Sequence, residues 1–215
     1  EVKFHIARLI SYCILQKKHS RNTLYWNTEL QGLYKEFLGK KLYVTKHEKF
    51  LSHNLYRDIL INAINVNDLK WMENFIEEYS EELNSKFKKN MNNYAMSYLH
   101  HKKKNYSKSI EFISKINPDY FIYKYDIKNL KLVNFYELNE IDGLMDLIHA
   151  YEEALRKDKL LGKESKFLYT NFIYYLKKLV INQTSKDLQF YYDKLLLDRN
   201  VTYRNWLLEK YEKLI

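Results

Sequence analysis

An all-α fold is what this sequence predicts: about five helical hairpins stacked in series as an α-α superhelix, closed by a C-terminal capping helix. Three observations carry that expectation. Trp71, Tyr106 and Ile141 stand 35 residues apart, each after a short polar connection and each opening an apolar pattern of helical spacing. A period in the mid-thirties marks stacked helix pairs, because one hairpin cannot bury its own apolar face and must use its neighbours' surfaces. Four Gly and a single Pro are too few for the many tight turns of an all-β chain. With 46% hydrophobic and 16% aromatic residues, 215 residues can bury a substantial core.

The elements follow in order. Helical apolar spacing runs over 2–18 and again over 23–38, where Leu30, Leu33, Tyr34, Phe37 and Leu38 form one stripe that Gly39 stops. Residues 39–49 lack that period and make the longest connection, with Leu42, Tyr43 and Val44 expected to fold back onto the helices. A helix over about 50–65 leads through a turn at Asn65 to Asp68 into a second helix carrying Trp71, Met72, Phe75, Ile76 and Tyr79. Later pairs are expected over 87–101 with 105–117, 120–137 with 140–157, and 164–181 with 186–198, before a last helix over 203–214. Pro118 stands where it should end a helix, since it has no amide hydrogen and clashes with the preceding turn, and Asp119 can cap the next. The organisation expected is therefore an N-terminal pair and loop over 1–49, repeats over 50–198 and a cap over 199–215. Glu1 opens directly into an apolar helical pattern, which reads as a fragment lacking an N-terminal region.

The central unit resembles a tetratricopeptide repeat. It runs Ala95-Met-Ser-Tyr-Leu99, a polar turn, Asn105-Tyr106-Ser-Lys-Ser109-Ile110, then Ile116-Asn117-Pro118. In that family a small residue lets the first helix approach its partner, an aromatic opens the second helix, a small residue follows three positions later, and a proline ends the unit. Ala95, Tyr106, Ser109 and Pro118 match in that order. The flanking units keep the period but not the motif: Asn74 and Leu144 stand opposite Ser109, while Ala63, Tyr98 and Val133, and likewise Phe75, Ile110 and Met145, are expected in register. The ending Arg204-Asn-Trp206-Leu-Leu-Glu-Lys210 resembles the C-terminal helix of a group of uncharacterised bacterial helical-repeat proteins. The resemblance implies a scaffold that binds a partner polypeptide on a concave surface lined by the first helix of each pair. Asp58, Asn62 and Asn65, then Asn93, Ser97 and His100, then Lys124, Lys128 and Lys131 make the polar stripe expected there.

No apolar run reaches the roughly 18 to 20 residues that span a bilayer, and Lys3, His5, Arg8 and Lys17 interrupt the start, unlike a signal peptide. The expected compartment is the cytoplasm. Cys13 is the single cysteine, so no internal disulfide forms and a buried thiol is expected. A net charge of +9 favours anionic partners, although the richness in Lys, Asn, Ile and Tyr is also what AT-rich coding DNA produces. Between Glu82 and Glu111 no acid occurs, while Lys86, Lys88, Lys89, Lys102, Lys103, Lys104 and Lys108 do, predicting a basic patch. A helical-repeat nucleic-acid binder using that segment is the alternative function, and a purely structural spacer is another. The seven histidines match no metal-ligand spacing, and no nucleophile context or phosphate loop occurs, so neither enzyme nor cofactor is expected. The clusters at Tyr120, Phe121, Tyr123 and Tyr125, at Phe172, Tyr174 and Tyr175, and at Phe190, Tyr191 and Tyr192 are expected in the core, with hydroxyls reaching the surface.

Overall fold

The computed structural model describes residues 1–20, 22–117, 123–181 and 184–215. Among them the chain forms eleven helices and no strand: α1 (Val2–His19), α2 (Thr23–Gly39), α3 (His53–Val66), α4 (Leu69–Tyr79), α5 (Ser85–Lys102), α6 (Tyr106–Ser114), α7 (Lys124–Glu137), α8 (Ile141–Lys157), α9 (Lys163–Ile181), α10 (Ser185–Leu197) and α11 (Arg204–Glu212). Side-chain caps place several starts. Asn22, Ser52, Asp68, Asn84, Asn105 and Thr184 each accept from a backbone N–H of the first turn, which satisfies one of the amides a helix start leaves open. The expected helix end at Pro118 and cap at Asp119 lie outside the described residues, as do Tyr120 and Phe121.

The chain divides into two compact units, Glu1–Lys124 and Tyr125–Ile215, at a point inside the stretch expected to be repeats. In the first, α2 packs on α1 and α3, α3 on α4 and α5, and α5 on α4 and α6. The connection after α2 is anchored by Tyr43, which is buried, whereas Val44 is exposed. A lone bridge joins Leu51 to Leu83. In the second unit, residues of α7 to α11 share one core around Leu132, Leu144, Ile148, Phe172, Leu176 and Leu207. Gly143 lets α8 approach α7 closely, for a Cβ there would come within 2.9 Å of the Phe135 ring.

One turn recurs. Asn67, Lys104 and Asn139 are left-handed at φ 62°, 59° and 59°, and the next amides, of Asp68, Asn105 and Glu140, donate back to the carbonyls of Ala63, His100 and Phe135 at 3.3, 2.9 and 3.0 Å. This is the Schellman ending, which satisfies carbonyls left open at the close of a helix. It also corrects the repeat register. The first helices keep the 35-residue step, since Ile59, Leu60 and their counterparts Tyr94 and Ala95 are all buried. The turn from α5 into α6 comes two residues later than its predecessor, so the second helices step by 37 and then 35. Met72, Ser109 and Leu144 are the buried equivalents, followed by Ile76, Ile113 and Ile148. Ser109 therefore stands opposite Met72 rather than Asn74, and Ile110 and Met145, only half-buried, are not the counterparts of Phe75. Trp71 sits in the third position of α4, whereas Tyr106 and Ile141 open their helices.

Candidate functional site

The expected polar stripe is partly inside the protein. Asn62 is buried and its amide nitrogen donates at 2.9 Å to both the Asn27 carbonyl and Gln31 Oε1, because α2 lies over that face of α3. Asn93 is buried and donates to the Lys115 carbonyl at 3.2 Å, and Ser97 is fully buried, its hydroxyl donating to the Tyr94 carbonyl at 2.7 Å. All three are thus packed against the protein itself rather than on an open face, although Asn62 Oδ1, equally buried, has no hydrogen-bond partner among the described residues. Asp58 and Asn65 are exposed. His100 is half-buried, stacked on Phe112 at 5.3 Å. Lys128 and Lys131, half-buried, lie over the rings of Tyr151 and Phe135 at 5.6 Å each, and Lys124 is exposed.

The basic segment is not one patch. Lys86, Lys88 and Lys89 lie at the start of α5 and Lys102, Lys103 and Lys104 at its end, about 24 Å apart at 1.5 Å per residue and so about three Debye lengths at physiological salt. Each end is also partly neutralised by acids that the linear sequence places elsewhere. Lys88 pairs with Glu81 at 2.7 Å and Lys103 pairs with Glu73. Burial pushes the Lys102 ammonium below its ordinary range, so it is poorly placed to meet an anion in solution. Lys108, on α6, is exposed.

Of the clustered aromatics, Tyr125, Phe172 and Tyr175 are buried and Tyr123, Tyr174, Tyr191 and Tyr192 half-buried, and several tyrosine hydroxyls are satisfied inside. Tyr151 donates to Asn129 Oδ1 at 2.9 Å and Tyr211 to the Tyr175 carbonyl at 2.8 Å, while Tyr56 and Ser80 share a 2.8 Å hydrogen bond. Burial raises the hydroxyls of all three far above their ordinary value. Phe190 is the exception, exposed to solvent. Cys13 is a buried free thiol, raised by burial first and by Glu29 second. Among the described residues no three His, Cys, Asp or Glu side chains converge to hold a metal ion, and no helix is long and apolar enough to cross a membrane.

Two surfaces escaped the sequence reading. Helix α1 buries Ile6 and Cys13, yet leaves Phe4, Leu9, Tyr12, Ile14 and Leu15 each at least 45% exposed, beside exposed Leu24 and Tyr25 of α2. The signal was present: apolar residues fall on every side of α1, where a surface helix normally confines them to one stripe. From Val2 to Thr28 there is no acid, while Lys3, Arg8 and Lys18 are exposed. Arg8 lies over the Phe4 ring at 5.3 Å. The second surface is a cleft of about 570 Å³ between α8 and α9, floored by Leu155 and Ile173 and edged by Arg156, Lys166, Lys177 and Lys178. Its cations come from two helices, so no run of sequence displays them together.

These features define an all-helical protein of successive, mutually packed helices. No protein-family model, no curated protein and no solved structure matches the chain.

Proposed function

We propose that the chain is a non-catalytic scaffold of tetratricopeptide-like helix pairs that holds a partner polypeptide against its helical surface. The observation that carries this reading is the outer face of α1 and the start of α2. Several large apolar side chains left open on one helix of a folded protein mark a place where another molecule sits, and here they include Phe4, Tyr12 and Tyr25 beside Arg8, the residue types that anchor protein interfaces.

Charge selects the kind of partner. A second copy would bring Lys3, Arg8 and Lys18 against their own likenesses, and like charges face to face cost several kcal/mol. A polypeptide with an apolar strip and acidic flanks complements the face. Lys17 takes no part, since burial pushes its ammonium down and Asp58 holds it back up.

A photocrosslinker placed at Tyr12 of the whole chain tests this in an extract of the native source. The expected product is an adduct to a discrete polypeptide, joined at an acidic, apolar segment, that weakens with salt and disappears in Leu9→Asp with Leu15→Asp. Adducts to lipid alone, to nucleic acid, to a second copy, or no adduct would overturn the reading.

A further inference from the structure

We propose that the cleft between α8 and α9 is a second docking site, taking an acidic segment of a partner polypeptide that carries an apolar side chain next to its carboxylates; this rests on the reading of the chain as a polypeptide binder. Lys166, Thr170, Ile173 and Lys177 are spaced four, three and four residues apart, so they form one face of α9, about 16 Å long at 1.5 Å per residue. Leu155 and Arg156, in the closing turns of α8, make the opposite wall.

The electrostatics are one-sided. Four cations line the cleft against a single carboxylate, Glu152. That carboxylate is engaged with Lys177 at 3.3 Å to both oxygens and has His149 at 3.6 Å. Among the described residues Lys166 reaches the Arg156 carbonyl, at 3.5 Å. Arg156 is exposed, and its guanidinium makes no hydrogen bond among the described residues. Lys178 lies over the rings of Tyr174 and Tyr191, extending the positive potential toward α10, where Lys194 bonds the Tyr174 hydroxyl at 3.2 Å. A guanidinium and an ammonium facing one opening attract carboxylates, and the guanidinium can hold one through two parallel hydrogen bonds.

A bare inorganic anion fits less well. The lysines are strung along α9 rather than gathered at one point, and Leu155, Ile173 and the Tyr174 ring offer apolar area that such an anion cannot use. An elongated groove with an apolar floor and cationic edges suits a chain segment whose apolar and acidic side chains alternate around its axis.

The test is an amide-shift titration of the whole protein with a nine-residue peptide of glutamate and leucine in a two-to-one ratio. Saturable shifts confined to α8 and α9 are expected. The apparent Kd should rise about tenfold in Arg156→Glu with Lys166→Glu, as loss of two facing cations predicts, and stay unchanged in Leu9→Asp with Leu15→Asp. No saturable shift, shifts elsewhere, equal binding of a lysine-for-glutamate peptide, or shifts given by inorganic phosphate but not by the peptide would each overturn the proposal. If crosslinking at Tyr12 fails while these shifts appear, the α1 reading falls and the cleft stands; the reverse pattern removes the cleft alone.

Discussion

Trp206 Nε1 donates a 2.6 Å hydrogen bond to Glu137 Oε1, tying the last helix to the end of α7 across 69 positions of sequence. Lys210, one turn further along α11, meets the same oxygen at 2.7 Å and lies over the Trp206 ring at 5.8 Å. The Lys210 and Glu137 side chains are only 12% and 15% exposed, so neither is well hydrated if its partner is lost. Glu137→Ala is therefore expected to destabilise the second unit by about 1–3 kcal/mol, since it leaves Trp206 Nε1 without this acceptor and Lys210 with the more exposed Glu209, at 3.5 Å. Chemical denaturation followed by tryptophan fluorescence reads this. A loss below about 0.5 kcal/mol, the level of an exposed pair, would show that the contact does not hold α11.

Ser109 tests helix approach in the first unit. Its buried hydroxyl donates to the Ser97 carbonyl at 2.7 Å where α6 crosses α5. Ser109→Ala removes the hydrogen bond to Ser97, costing about 1 kcal/mol, whereas Ser109→Leu forces the helices apart at about 1–3 kcal/mol more. Equal melting temperatures for the two variants would mean that the crossing is not tight.

Lys104 occupies a left-handed position that a β-carbon disfavours. Lys104→Gly is expected to stabilise by about 0.5–1 kcal/mol, because glycine accepts positive φ without that penalty. Thermal unfolding checks it, and a lowered midpoint would count against the Schellman geometry at this turn.

His100 makes stability depend on pH. Burial first, then Lys108 of α6 and Lys103 just past α5, push its imidazole below the ordinary 6.5, while Glu111 of α6 and Glu73 of α4 pull the other way. Its Nδ1 is buried without a hydrogen-bond partner among the described residues. The unfolded chain takes up this proton near pH 6.5 and the folded chain only below that. The contribution is thus fully present above about 6.5 and is lost as pH falls toward the folded value. His53, also lowered by burial, adds with the same sign. Denaturation midpoints at pH 7.5 and 5.5 should differ less in His100→Gln than in the wild type; an unchanged difference would assign the effect elsewhere.

The division of the lysine run makes a prediction about nucleic acid. With the two lysine clusters at opposite ends of α5, and Lys88 and Lys103 paired to Glu81 and Glu73, single-stranded DNA should bind weakly, with a shallow salt slope. Lys102→Glu with Lys103→Glu should scarcely change it. A steep slope abolished by that pair of substitutions would restore the nucleic-acid reading.

Helix positions were legible in the sequence because they depend on residues within a turn of one another. Asn22, Ser52, Asp68 and Asn105 cap the helices they precede, and of the apolar stripe Leu30, Tyr34, Phe37 and Leu38 are buried and Leu33 half-buried. What only the tertiary structure decided is which faces meet. The two-residue shift at the end of α5 changes the partner of Ser109 without disturbing any local pattern. Asn62, Asn93 and Ser97 look like surface polar residues until α2, the segment after α6, and α5's own turns close around them. An acid-free interval holding seven lysines looks like a patch until helical rise separates its ends and Glu73 arrives from α4. The cationic cleft between α8 and α9 is written in two helices and exists only once they are packed. Local hydrogen bonding and apolar periodicity act over a few residues, whereas burial and electrostatic potential are sums over neighbours that the chain brings together only by folding.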